Sequence, residues 1–184
     1  MSVLDLPADA VIPERHPKAP GPGELFAPHS PRCLGCADVD GGLRMEARAQ
    51  ESMSVHARFR ARAEHMGGPG VLHGGIIVTA LDEALGFVPP LVHRAAVTAR
   101  LETDFRRPVP VETDVWILAE LEGVVGRKVF VSGSAHLDAL DGPVVATARA
   151  LYLAVRPEHF LRHGRPEDLE AAGASPDAVR AARA

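Results

Sequence analysis

The stretch Gly74–Val88 reads GGIIVTALDEALGFV. Within it Ile77, Leu81, Ala84, Leu85 and Val88 fall at i, i+4, i+7, i+8 and i+11, the spacing that lays one apolar stripe along a helix. Pro89-Pro90 stops that helix. On both sides the period changes to two. Upstream, Leu43, Met45, Ala47 and Ala49 alternate with charged or polar residues, and so do Val55, Ala57, Phe59 and Ala61, with Glu51 and Ser52 placed for a hairpin turn. Downstream the same pattern runs through roughly 95–107, 114–122, 127–137 and 144–155. Pro108 and Pro110 close the first of these, Gly123 and Gly126 flank a tight connection, and Asp141-Gly142 is a turn dipeptide. One apolar helix among about six strands predicts an α+β fold, with a curved antiparallel sheet wrapped around a central helix.

The chain has 184 residues, 46% apolar, 24% charged and 4% aromatic, which suits one domain with an aliphatic core. Seven of its 16 prolines precede residue 32, so residues 1–42 read as an irregular arm. Residues 43–156 form the domain, and 157–184 a peripheral, partly helical tail broken by Gly173 and Pro176. A net charge of −4 argues against nucleic acid as the partner. No uninterrupted apolar run approaches the roughly 18 residues of a membrane span. The first residues, MSVLDLPADAVIPE, lack the basic end and apolar stretch of an export signal. Two cysteines make no disulfide framework, so a reducing cytoplasm is expected.

The helix carries the chemistry at its two ends. Gly74 and Gly75 open it, where unpaired N–H groups and the helix dipole favour negative charge, although glycines also simply let a loop turn. Asp82 follows Gly75 by nearly two turns and shares its face, with Thr79 and Gly86 nearby. A carboxylate on an apolar helix is costly unless it is paired, reaches solvent or does chemistry. Roughly 10 Å of helix axis separates Gly75 from Asp82, too far for one chain to bring both to one carbonyl. Two such helices antiparallel across a two-fold axis bring them together. His73 either donates to a carbonyl oxygen or orders the preceding loop.

Taken together these residues resemble a family. GPGVLHGGIIVTALDEALG (residues 68–86) is similar to the signature of hotdog-fold acyl-CoA thioesterases of the PaaI-like group, with a His-Gly-Gly helix start and an acid nine residues after the His. VTARLETDFRRPVPV (97–111) resembles the strand that follows, and GRKVFVSG (126–133) the corresponding segment of mammalian acyl-coenzyme A thioesterases. HSPRCLGC (29–36) resembles the lead-in of some bacterial members. The resemblance implies a homodimer or homotetramer that hydrolyses acyl-CoA without a cofactor. It places Asp82 as catalytic acid residue (nucleophile or activator of water), the Gly75 amide as oxyanion donor with His73 beside it, and Thr98 as an assisting hydroxyl. It assigns Asp104, Arg106, Gly126, Arg127 and Lys128 to the CoA site, Arg127 and Lys128 suiting phosphate unless they are solvated turn charges. Related sequences often carry an amide at the position of Asp104, so a role there requires Arg106 or Arg127 to pair with its carboxylate.

Cys33-Leu34-Gly35-Cys36, with His29 four residues earlier, is half of a zinc site. No second such pair exists, so the expectation is a metal-free segment, structural or at the pocket edge, the alternative being zinc completed by a distant His or Asp. Two other functions compete with hydrolysis. A hotdog dehydratase or hydratase resembles a helix with His five residues after the Asp, where this chain has Phe87. A non-catalytic acyl-CoA sensor would bind the thioester without cleaving it.

Overall fold

The computed structural model describes residues 3–92, 95–156 and 158–183; Met1, Ser2, Pro157 and Ala184, read above as parts of the arm and tail, lie outside them. The strands are β1 (Glu46–Ala49), β2 (Ser54–Ala61), β3 (Met66–Gly68), β4 (Val71–Leu72), β5 (Ala96–Phe105), β6 (Thr113–Val125), β7 (Lys128–Leu137) and β8 (Val144–Ala154). Helix α1 (Gly74–Gly86) lies between β4 and β5, and the short helices α2 (Glu158–His163), α3 (Pro166–Ala171) and α4 (Pro176–Arg183) follow the sheet. Six strands form one antiparallel sheet in the order β1-β2-β6-β7-β8-β5, and β3 and β4 form a separate two-stranded ribbon.

Alternation decides which face meets the helix. Val55, Ala57 and Phe59 of β2, Val115, Ile117 and Ala119 of β6, and Ala146, Ala148 and Ala150 of β8 are buried on the inner face. Against them α1 lays Ile77, Ala80, Leu81, Ala84 and Leu85. Each large aliphatic side chain buried there contributes about 1.5–3 kcal/mol. Close approach needs small residues below it: a Cβ on Gly133 of β7 would sit 2.7 Å from Leu85 Cδ1 and 2.7 Å from the Leu118 carbonyl oxygen. His73 caps the start of α1, Phe87 its end, and Pro89–Val92 forms a 3-10 turn.

Several expectations shift by a few residues. Val88 lies beyond the helix end. Leu43 and Met45 are buried as expected, yet β1 begins only at Glu46. Arg44 has φ +53, and the Leu43 and Met45 amides donate to Leu34 and Gly35 instead of to a strand. Gly123 lies inside β6 at a register shift, so the tight turn falls on Gly126 alone, at φ +54. The run Gly74–Val92, 19 residues at mean hydropathy 1.5, is long and apolar enough to cross a membrane by length and composition, although Asp82 and Glu83 interrupt it; half of it is buried inside this fold, as a core helix is.

The arm lies over the domain. Leu4 is buried with Phe130 and Leu151 on the outer face of the sheet. The Arg15 guanidinium donates to the Gln50 and Ser52 carbonyls, and the His16 amide to that of Leu91 at 2.9 Å. The Gly23 and Phe26 amides donate to Ala49 and Ala47, covering the free edge of β1. At the opposite edge β5 pairs with β8 on one side, and no described strand pairs with the other. A ten-residue edge strand left open in this way is a template for a further strand.

Candidate active site

Helix α1 runs antiparallel to β5, which sorts the expected site residues into two groups. At one end Thr98 near the start of β5 donates its hydroxyl to Asp82 Oδ1 at 2.8 Å. Tyr152, opposite Thr98 on β8, donates to the Asp82 carbonyl oxygen at 2.9 Å and lies 3.4 Å from Oδ1. Burial, and then the Asp82 charge, push the Tyr152 phenol far above its ordinary range, so it stays a neutral donor. These groups line a cavity of about 560 Å³ together with Gly86, Pro90 and Phe160. The carboxylate read from the helix is therefore paired on one oxygen and half-exposed.

At the other end Gly74 faces the Phe105 ring, the last residue of β5. The Gly75 amide, expected to face an oxyanion, donates to His73 Nδ1 at 2.9 Å. His73 thus acts as the helix cap, and a ligand oxygen reaches that N–H by displacing or sharing with the ring nitrogen. Beside it lies a cavity of about 330 Å³ lined by Gly74, Ile77, Phe105, Arg106, Arg107 and Val109. Asp82 and Gly75 stay roughly 10 Å of helix axis apart. One chain does not bring them together.

The expected CoA residues divide in the same way. The turn holding Gly126, Arg127 and Lys128 sits beside the start of β5, since Lys128 and Val97 both pair with Leu153 of β8. Arg127 there lines a cavity of about 620 Å³ with Arg156 and His159 and no acidic side chain. Asp104 and Arg106 lie at the far end of β5, roughly 20 Å away at about 3.3 Å per residue. They pair with each other at 3.6 Å, both exposed. Asp104 also lines a hollow of about 360 Å³ with Glu102, Glu120 and Arg149, on the sheet face away from α1. Three carboxylates repel a polyanion, so this end of the CoA reading rests on Arg106 and its neighbour Arg107.

A second cluster gathers where the arm meets α1. His29 Nδ1 lies 2.9 Å from Glu83 Oε1, Cys33 Sγ lies 3.5 Å from each Glu83 oxygen, and Cys36 Sγ lies 3.6 Å from His29 Nδ1. Both thiols are free and half-buried. Burial opposes the charge on Glu83, but hydrogen bonds from His29 and Cys36 hold its carboxyl below the usual value. Burial and the same carboxylate push the Cys36 thiol up.

The sequence reading missed Tyr152, Phe105, Arg107, Arg156 and His159, and gave Glu83 no role. Tyr152 was findable: it is the chain's one tyrosine and shares the inward parity of Ala148 and Ala150.

With that geometry in hand, comparison with known proteins is specific. Residues 69–139 match the family model described as thioesterase superfamily. Over 93 residues the chain is 37% identical to acyl-coenzyme A thioesterase THEM4 of Bos taurus, covering 50% of this chain and 37% of that protein. The chain thus spans well under half the length of this relative. A crystal structure of a thioesterase superfamily protein superposes with TM-score 0.55 at 28% identity, covering 59% of this chain and 53% of that one. The E. coli PaaI protein from the phenylacetic acid degradation operon shares the fold, with TM-score 0.57 at 17% identity over 62% of this chain and 81% of that one.

Proposed function

We propose that this chain, whose residues 69–139 belong to the thioesterase superfamily and whose fold is the hotdog, hydrolyses an acyl-CoA thioester to free CoA and a carboxylic acid at sites completed across a two-fold axis. The observation that carries the reading is the Asp82 carboxylate, held by Thr98 at 2.8 Å in the wall of a cavity, one half-site short of an oxyanion donor. The open edge of β5 supplies the two-fold. A second copy paired antiparallel along that edge sets the start of one β5 beside the end of the other. Asp82, Thr98 and the 126–128 turn of one protomer then face Gly75, His73 and Arg106 of its partner.

In that composite site Thr98 fixes Oδ1, leaving Asp82 Oδ2 to take a proton from water. The water oxygen adds to the thioester carbonyl carbon, and the carbonyl oxygen, gaining negative charge, meets the partner's Gly75 N–H as it displaces the His73 ring. The C–S bond then breaks, sulfur leaves with the electron pair, and it takes up the proton that Asp82 accepted. Arg127 and Lys128 with the partner's Arg106 offer charge to the CoA phosphates. The step uses no cofactor, and a reducing, cytoplasmic setting is part of the same proposal.

A thiol-release assay over short, medium, long and aromatic acyl-CoAs tests it, with Asp82→Asn as the control. Loss of the base lowers kcat by about 10²–10⁴-fold, about 3–5 kcal/mol of barrier. The variant keeps its fold, because Tyr152 binds the backbone oxygen of residue 82 and Asn preserves the side-chain shape. Near-normal turnover by folded Asp82→Asn, or no thiol release from any acyl-CoA by the native chain, overturns the reading.

A further inference from the structure

We propose that His29, Cys33, Cys36 and Glu83 form a tetrahedral zinc site that ties the N-terminal arm to helix α1. The inference does not depend on the thioesterase reading. Among the described residues these four offer one nitrogen, two sulfurs and one carboxylate oxygen, all within 4.8 Å of one another. Bonds of about 2.0–2.3 Å to a common centre set tetrahedral ligand atoms roughly 3.3–3.8 Å apart. The sulfur–oxygen separations of 3.5 Å and the sulfur–nitrogen separation of 3.6 Å already lie in that range. The 2.9 Å hydrogen bond from His29 to Glu83 has to open by about half an ångström to admit the ion, and every remaining separation is at most 4.8 Å.

The surroundings fit a built site. A Cβ at residue 35 would fall 2.3 Å from the Glu83 carboxyl carbon, so glycine there lets the carboxylate reach the two sulfurs. The His29 ring stacks on Phe87 at 4.5 Å and 17°, which fixes the direction of Nδ1. The His29 amide donates to Cys36 Sγ at 3.3 Å, a contact that favours thiolate. Two thiolates, a neutral imidazole and a carboxylate bring −3 to a +2 ion, and sulfur with nitrogen selects zinc over magnesium or calcium. Four protein ligands leave no open position, so the role is structural. Three of the ligands come from the arm and one from α1, so the ion is a cross-link between segments 47 or more residues apart in sequence.

The test uses the full chain, purified under reducing conditions, desalted and measured for metal by mass spectrometry. About one zinc per chain is expected. Replacement by Co²⁺ should give intense visible absorption with a sulfur-to-cobalt charge-transfer band, a signature that a merely packed cysteine pair lacks. Glu83→Gln should weaken zinc binding by at least the roughly 10–100-fold that loss of an outer-shell partner costs, Cys33→Ser or Cys36→Ser should weaken the charge-transfer band by about half or more, and the double variant should remove it. The native chain itself decides the matter if those variants misfold. Folded native protein that holds no zinc after loading and gives no cobalt charge transfer overturns the site. A Cys33–Cys36 disulfide in protein kept reduced, or unchanged zinc in a folded cysteine variant, overturns it equally.

Discussion

Two inactive variants should restore each other if the active site is shared between protomers. Asp82→Asn removes the proton acceptor. Gly75→Pro removes the amide hydrogen, while the ring's fixed φ of about −65° suits the first turn of a helix. Each homodimer then loses both of its sites, with activity down by about 10²–10⁴-fold for the base and 10²–10³-fold for the donor. In a heterodimer one site carries both lesions, and the other combines the intact Asp82 of one chain with the intact Gly75 of its partner. Random exchange makes half of all dimers heterodimers, each with one working site of two, so about a quarter of native activity returns. Differently tagged chains, mixed through denaturant and refolded, provide the sample, and thiol release from acyl-CoA provides the rate. Native mass spectrometry establishes that heterodimers formed. If they are present and the rate stays at the mean of the two parents, Asp82 and Gly75 do not serve one carbonyl and the shared site is refuted.

Thr98→Val keeps the shape of the side chain but removes the 2.8 Å hydrogen bond to Asp82; kcat should fall about 10–100-fold with KM little changed, the measure of a bond to a charged group worth about 1.5–3 kcal/mol. Gly133→Ala forces a methyl group against the Leu118 carbonyl and Leu85, and overpacking of about 1–3 kcal/mol should lower the melting temperature by several degrees in a thermal scan. His65 is buried, and burial and then the Arg62 charge hold its imidazole below the ordinary 6.5. The unfolded chain therefore protonates first, so stability present at neutral pH is lost as pH falls below about 6.5; calorimetry from pH 7.5 to 5.5 should show this, and His65→Gln should flatten it.

What was legible in the sequence was what periodicity encodes. Five strands of the main sheet alternate because each buries one face more than the other, while β5 at the open edge has only half-buried and exposed positions, and α1 shows its stripe because one side of it meets the sheet. The start of β1 was not legible: Leu43 and Met45 keep strand parity, but their amides are claimed by the Cys33–Cys36 loop and Arg44 turns the backbone to positive φ. The β3–β4 ribbon was missed because it has five residues in all, two of them Gly67 and Gly68, too few to set a period. In the site, the resemblance made Thr98 an assistant to the water or the carboxylate, and its 2.8 Å contact with Asp82 was legible to that extent. The division of the CoA residues between the two ends of β5 was not, since the pairing register, not the spacing along the chain, sets which turn sits beside which strand end.

Asp82 and Glu83 looked in the sequence like one acidic step in an apolar helix. Successive residues on a helix point about 100° apart, so two carboxylates side by side cannot serve the same partner. Asp82 turns toward β5 and meets Thr98, while Glu83 turns toward the arm and meets His29 and the two cysteines. Neither is left as the bare buried charge that would destabilise α1. The cysteine pair found no fourth ligand by inspection because that ligand lies about fifty residues away, on the helix itself. A metal at Glu83 would bear on catalysis through the backbone it shares with Asp82 and through the cavity wall that His29 and Glu83 share with it. Stripping it should loosen the arm and lower stability well before it alters the base that Thr98 holds.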